Sequence, residues 1–89
     1  MERMIVDCGT MAAKEDFHTA LAQVLNFPDW YGGNLDALHD LLTAISEATA
    51  LQLHGWQNLK AALGPYGPRL EKVLAVSALE NPQLTIEFC

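Results

Sequence analysis

Basic residues are scarce in this chain: five Lys and Arg stand against eleven Asp and Glu among 89 residues, a formal charge of -6. A surface that grips nucleic acid by neutralising phosphates is excluded on that balance, and a cationic partner is the natural complement. Cysteine is equally sparse. Cys8 and Cys89 form no CxxC and no ladder of spacings, so neither a disulfide framework nor a zinc knuckle is expected. Both fall in expected strands and are read as reduced, buried thiols. No apolar run approaches the ~20 residues that span a bilayer. The opening Met1-Glu2-Arg3-Met4-Ile5-Val6-Asp7 lacks the basic and long apolar regions of a signal peptide, so a cytoplasmic location away from membranes is expected. There is no Gly-rich phosphate loop, nucleophile elbow or HExxH pattern either. Neither enzymatic activity nor a cofactor is expected of so small a chain.

What is present suffices for one compact domain over residues 1–89: hydrophobic residues make up 51% of the chain and charged ones 18%, too apolar a mix for disorder. Met4 to Cys8 is rich in β-formers and ends at Gly9, an opening strand. From Lys14 to Asn26, Phe17, Leu21, Val24 and Leu25 recur at helical spacing until Pro28. Phe27 to Gly33 has no period and reads as a loop with Trp30 and Tyr31 at its centre. Asn34 is a good N-cap for a helix over Leu35 to Ile45. Ala50 to His54 is a second strand, and Trp56 to Leu63 a brief helix closed by Gly64-Pro65. Pro68 starts a further helix that Asn81-Pro82 breaks, with Leu70, Val73, Leu74 and Ser77 or Ala78 inward. Leu84, Ile86 and Phe88 alternate with polar neighbours as a last strand. The order β-α-α-β-α-α-β predicts an α/β fold: a small three-stranded parallel sheet with about four crossover and packing helices.

The helix after Asn34 carries the strongest signal. At about 100° per residue, Leu35, Leu38, Leu41, Leu42 and Ile45 share one stripe, which buries. Asp36, His39, Asp40 and Thr43 cluster on nearly the opposite, solvent-facing side. Two carboxylates one turn apart repel by about 0.2–0.5 kcal/mol. Asp36 regains some of that from the helix dipole in the first turn, and Asp40, deeper in the helix, gains little. No Lys or Arg occurs between Lys14 and Lys60. An aromatic loop beside an acidic helix has the composition of a recognition surface. The alternatives are that Trp30 closes the core, that the acidic face is simply solvated, or that Asp36, His39 and Asp40 form an open metal site or an acid/base group. Tyr31, before the glycines, is expected to pack, as are Trp56 and the core-edge His18.

The stretch Phe27-Pro28-Asp29-Trp30-Tyr31-Gly32-Gly33-Asn34-Leu35-Asp36-Ala37-Leu38-His39-Asp40-Leu41-Leu42 resembles the signature of the barstar family, L-P-x-Y-Y-G-x-N-L-D-A-L-x-D-x-L. Weaker likeness runs through Asp16-Phe17-His18, Val73-Leu74-Ala75-Val76 and Leu84-Thr85-Ile86. The resemblance implies a three-stranded parallel sheet with helices, and an intracellular, immunity-type inhibitor of a secreted basic ribonuclease such as barnase. It implies that Asp40 occupies the catalytic phosphate site, Asp36 pairs with an arginine beside the cleft, Trp30 stacks over the catalytic histidine, and Thr43 makes a peripheral contact. Gly32, Gly33 and Asn34 carry the loop shape. The chain departs from the signature at His39, where the family has tryptophan, and at Gly33, where it has glutamate. The acidic residue expected on the last helix appears as Leu79 with Glu80 one place on. These departures leave room for a barstar-like adaptor that binds a non-nuclease basic protein with the same face. A monomer without a metal ion is the expected state.

Overall fold

A computed structural model describes residues 2–89. Its elements run β1 (Glu2–Asp7), α1 (Lys14–Leu25), α2 (Leu35–Thr43), β2 (Thr49–His54), α3 (Trp56–Ala62), α4 (Tyr66–Glu80) and β3 (Leu84–Phe88). The three strands form one parallel sheet in the order β1-β2-β3, the expected α/β architecture. Parallel neighbours require crossovers, and each is made by a helix pair, α1–α2 and then α3–α4.

The register shows how the sheet divides. Val6, Leu53 and Phe88 lie side by side, as do Met4, Leu51 and Ile86, and these rows face the helices. The alternate row of Ile5, Gln52 and Glu87 faces out, leaving Ile5 58% exposed on an open sheet face. Phe17 and Leu21 of α1, Leu38 and Leu42 of α2, Trp56 and Leu59 of α3, and Leu70 and Leu74 of α4 are all fully buried over the inner rows. Cys8 is buried with them, its thiol pushed up to about 11 by burial and by Asp7.

Several boundaries differ from the sequence reading, each for a local reason. β1 begins two residues earlier than Met4 and ends at Asp7, although the Cys8 N–H still bonds to the His54 carbonyl. α1 stops at Leu25 because Asn26 takes a left-handed conformation, φ 57°, and caps it. α4 starts at Tyr66 and not Pro68, since a proline in the first helical turn lacks only an N–H that has no intrahelical partner there. Cys89 is exposed, not buried, because it follows the last strand. Leu41 sits at the edge of its stripe and is only half-buried, outside the core cluster.

The end of α2 is held by a distant residue. The helix closes at Thr43, not Ile45, and its last carbonyls are capped from another element. The buried Asn81 side chain donates to the Leu42 carbonyl at 2.9 Å and to that of Ile45 at 3.0 Å, while its own oxygen accepts from the Gln83 N–H. Asn81→Ala removes the donor from these carbonyls and is expected to cost about 1–3 kcal/mol. A urea titration of the variant checks this; an unchanged midpoint would mean the cap contributes nothing.

Candidate functional site

Asn34 starts α2 by accepting a hydrogen bond from the Ala37 N–H onto its side-chain oxygen at 2.8 Å. Gly33 just before it has φ 65°, a left-handed conformation that a side chain resists. Gly32 leaves room for the Asn34 amide, which a Cβ there would approach to 3.1 Å. With Leu38 and Leu42 locked in the core, the opposite side of α2 is fixed outward. Asp36 and Asp40 are both exposed, the Asp40 side chain to 81%. Thr43 is half-buried and donates its hydroxyl proton back to the His39 carbonyl at 2.8 Å or that of Asp40 at 3.2 Å, so toward a partner it is an acceptor.

Trp30 does not close the core. Its indole is 69% exposed, on the loop that leads into α2. Its neighbour Tyr31 is half-buried, with its ring against Phe27 at 4.9 Å. The Tyr31 hydroxyl bonds to His18 Nδ1, and His18 Nε2 lies 2.8 Å from the Tyr66 hydroxyl. One buried imidazole thus ties the loop to α1 and α4. Two phenols suit a neutral imidazole, one accepting its proton and the other donating to its lone pair. Burial, then the charge of Lys14, lowers the His18 pKa below its ordinary 6.5. Burial pushes the Tyr31 and Tyr66 hydroxyls upward.

A depressed histidine makes the unfolded chain bind more protons between the folded and unfolded pKa values, so stability rises with pH through that window. The His18 contribution is complete above about 6.5 and falls away as the solution is acidified below it. Denaturant midpoints followed from pH 7.5 to 5 should therefore drop more steeply for the natural chain than for His18→Gln. Parallel profiles for the two proteins would contradict a neutral His18.

α4 completes the site in a way that no local pattern announces. Glu80 Oε1 lies 2.6 Å from His39 Nε2, so His39 is only partly free toward solvent and leans on α4. From sequence, Glu80 reads only as a displaced acid and Asn81 only as a helix breaker. Pairings 41 and 39 residues apart leave no local signal. The cation-free span of sequence is also not cation-free in space. Lys14 and Arg69 line a groove with Asn34 and Asp36 at the start of α2. Asp36 therefore has positive neighbours, whereas the Asp40 end, with Glu80 behind it, is the more negative. Among the described residues no three His, Cys, Asp or Glu side chains converge as metal ligands; the His39 ring bonds through Nε2 to Glu80, with Nδ1 3.9 Å from Asp40.

Fold and site together define a small α/β domain that presents an acidic helix face with an exposed indole at its leading end. The chain belongs to the barstar family: the family model described as "Barstar (barnase inhibitor)" matches residues 1–88. It is also 35% identical over 89 residues to the "Putative ribonuclease inhibitor YrdF" of Bacillus subtilis (strain 168), an alignment that covers 99% of this chain and 94% of that protein. No helix of the described residues is long and apolar enough to cross a membrane.

Proposed function

We propose that this protein is a cytoplasmic inhibitor of a basic ribonuclease, acting as a single-domain monomer that fills the enzyme's RNA-binding cleft with α2 and the Trp30 loop. The carboxylates of Asp36 and Asp40 stand where substrate phosphates would lie, and the indole of Trp30 covers an aromatic or imidazole ring of the enzyme. Asn34, Gly32 and Gly33 hold the loop in shape, while His39 and Thr43 make flanking contacts.

The observation that carries this reading is the exposed Asp40 on a helix whose other face is locked in the core. Among the described residues such a carboxylate accepts no hydrogen bond, with the His39 ring 3.9 Å away, and it is poised for a partner on another molecule. Membership of the barstar family and the likeness to a protein named for ribonuclease inhibition support the choice of partner. Size is no obstacle. A standard interface patch of about 800 Å² per partner is about a sixth of the 5068 Å² surface.

The test is a titration into an RNA-cleavage assay with barnase and related guanyl-specific ribonucleases at low salt. Inhibition complete at one equivalent, and weakened by Trp30→Ala, is expected. Full cleavage by every enzyme at excess protein would overturn the reading and point to a non-nuclease basic partner for the same face.

A further inference from the structure

β1 pairs with β2 alone, so its other side is an open edge of the sheet. Which backbone groups face that edge follows from the ladder. Cys8 sends its N–H to the His54 carbonyl, so Met4, Val6 and Cys8 bond toward β2, while the N–H and C=O groups of Arg3, Ile5 and Asp7 point away from it. By the two-residue period the side chains of those same three residues share the uncovered face of the sheet, and all three are exposed. Arg3 makes no ion pair among the described residues, and Asp7 commits one carboxylate oxygen, to the Gly9 N–H at 2.9 Å. Open edges are commonly blunted by a proline, a bulge or a central charge. Here an isoleucine holds the centre, with opposite charges on either side of it.

We propose that the β1 edge is a self-pairing surface: two copies of this chain join their β1 strands antiparallel about a two-fold axis at Ile5, with Arg3 of each copy opposite Asp7 of the other. A two-fold axis sets like strands antiparallel and presents the same patch on both sides. Centred on Ile5, the pairings Arg3 with Asp7, Ile5 with Ile5 and Asp7 with Arg3 each close through two N–H···O bonds, made by the very backbone groups that β2 leaves free. The facing side chains are then two ion pairs around an apolar contact, all on one face. A slip of two residues either way sets Ile5 against Arg3 or Asp7 and leaves the charges unmatched. The opposite edge offers no such match: the groups of β3 that point away from β2 belong to Leu84, Ile86 and Phe88, which face the helices and carry no charge. The contact is one strand wide, below the about 1,200 Å² of stable complexes, so it joins concentrated protein while a dilute chain acts singly. The pairing does not depend on which protein the acidic helix binds.

Sedimentation equilibrium from about 10 μM to about 1 mM should show single chains joining into dimers as concentration rises. Arg3→Asp and Asp7→Arg should each raise the dissociation constant about tenfold or more, because each sets like charges opposite one another at both ends of the contact. Mixed in equal amounts, the two variants should pair again, since one then carries only acids along the edge and the other only bases. Ile5→Lys, a change at a side chain already in solvent, should abolish pairing too, and it keeps the test decisive should Asp7→Arg fail to fold. Amide exchange should slow at Ile5 with rising concentration and stay constant at Ile86. A chain still monomeric at about 1 mM, a dimer as tight in Arg3→Asp as in the natural chain, folded charge variants that ignore each other when mixed, or slowing at Ile86 in place of Ile5 would each overturn the pairing.

Discussion

Asp40→Ala is expected to weaken ribonuclease binding by about 2–5 kcal/mol, roughly 30- to 5,000-fold in Kd, a range to which charge pairs of the barnase–barstar complex themselves contributed. The size follows from position. Asp40 is one turn into α2, exposed in the free protein, and becomes desolvated only when a partner covers it. A carboxylate that meets a guanidinium in a closed cleft forms hydrogen bonds stronger than any rim pair, and its removal leaves the partner's charge buried alone. The free protein loses nothing comparable. Asp36 and Asp40 repel across one helical turn, so the variant should be as stable as the natural chain, or steadier by about 0.2–0.5 kcal/mol. Calorimetric titration of the variant, paired with its urea midpoint, separates the two effects. A loss of binding matched by a loss of stability would mean that Asp40 is structural. The association rate should also fall steeply with added salt, because the Debye length shrinks to about 10 Å at 0.1 M and the acidic face then steers less.

Trp56→Ala is expected to do the reverse: strongly destabilise the fold, and weaken inhibition only through it. Trp56 opens α3, is fully buried, and packs against Phe17 of α1 at 5.9 Å and Phe88 of β3 at 5.2 Å between ring centres. Its indole N–H donates to Glu71 of α4 at 2.6 Å, and Lys60 holds the other carboxylate oxygen at 3.1 Å. Those two bonds, the indole's first, keep the Glu71 carboxyl below the usual range. One side chain thus joins three helices and a strand. Truncating a buried tryptophan costs about 3–5 kcal/mol. At about 0.05–0.15 kcal/mol per residue, a domain of this size has roughly 4–13 kcal/mol in total, so the variant loses a large share of it and is unfolded at 37 °C if the domain stands at the low end of that range. Trp56→Phe, which keeps the ring and loses only the N–H bond and some volume, should remain folded. Thermal melts followed by circular dichroism decide it; an Ala variant that melts with the natural chain would show that the core around Trp56 collapses without penalty.

Much of this architecture is legible in the chain itself. Leu84-Thr85-Ile86-Glu87-Phe88 announces its strand by alternation, and the leucines of α2 announce which side faces in. The acidic face is then set by elimination, because 100° steps leave Asp36 and Asp40 nowhere else to point. What stays hidden is whatever depends on a second element. Thr43 reads as one more polar residue of the outer face until its hydroxyl is seen returning to the helix backbone. Trp30 and Tyr31 are neighbours of similar character, and only the imidazole of His18, thirteen residues upstream of Tyr31, decides that one ring is held while the other is free. Glu80 and Asn81 act on α2 through three-dimensional proximity, which no window of sequence contains.

The attachments of the loop and of α2 have a consequence in time. Tyr66 reaches His18 across 48 residues, Glu80 reaches His39 across 41, and Asn81 reaches Leu42 across 39. All three come from α4 or the residue that ends it. During synthesis, therefore, the acidic helix and its loop leave the ribosome well before the residues that fasten them. A nascent chain carries every contact residue of the face and still lacks its shape. The acidic face takes its final shape only when translation has passed Asn81, so it is assembled by the late part of the chain and not by its early emergence.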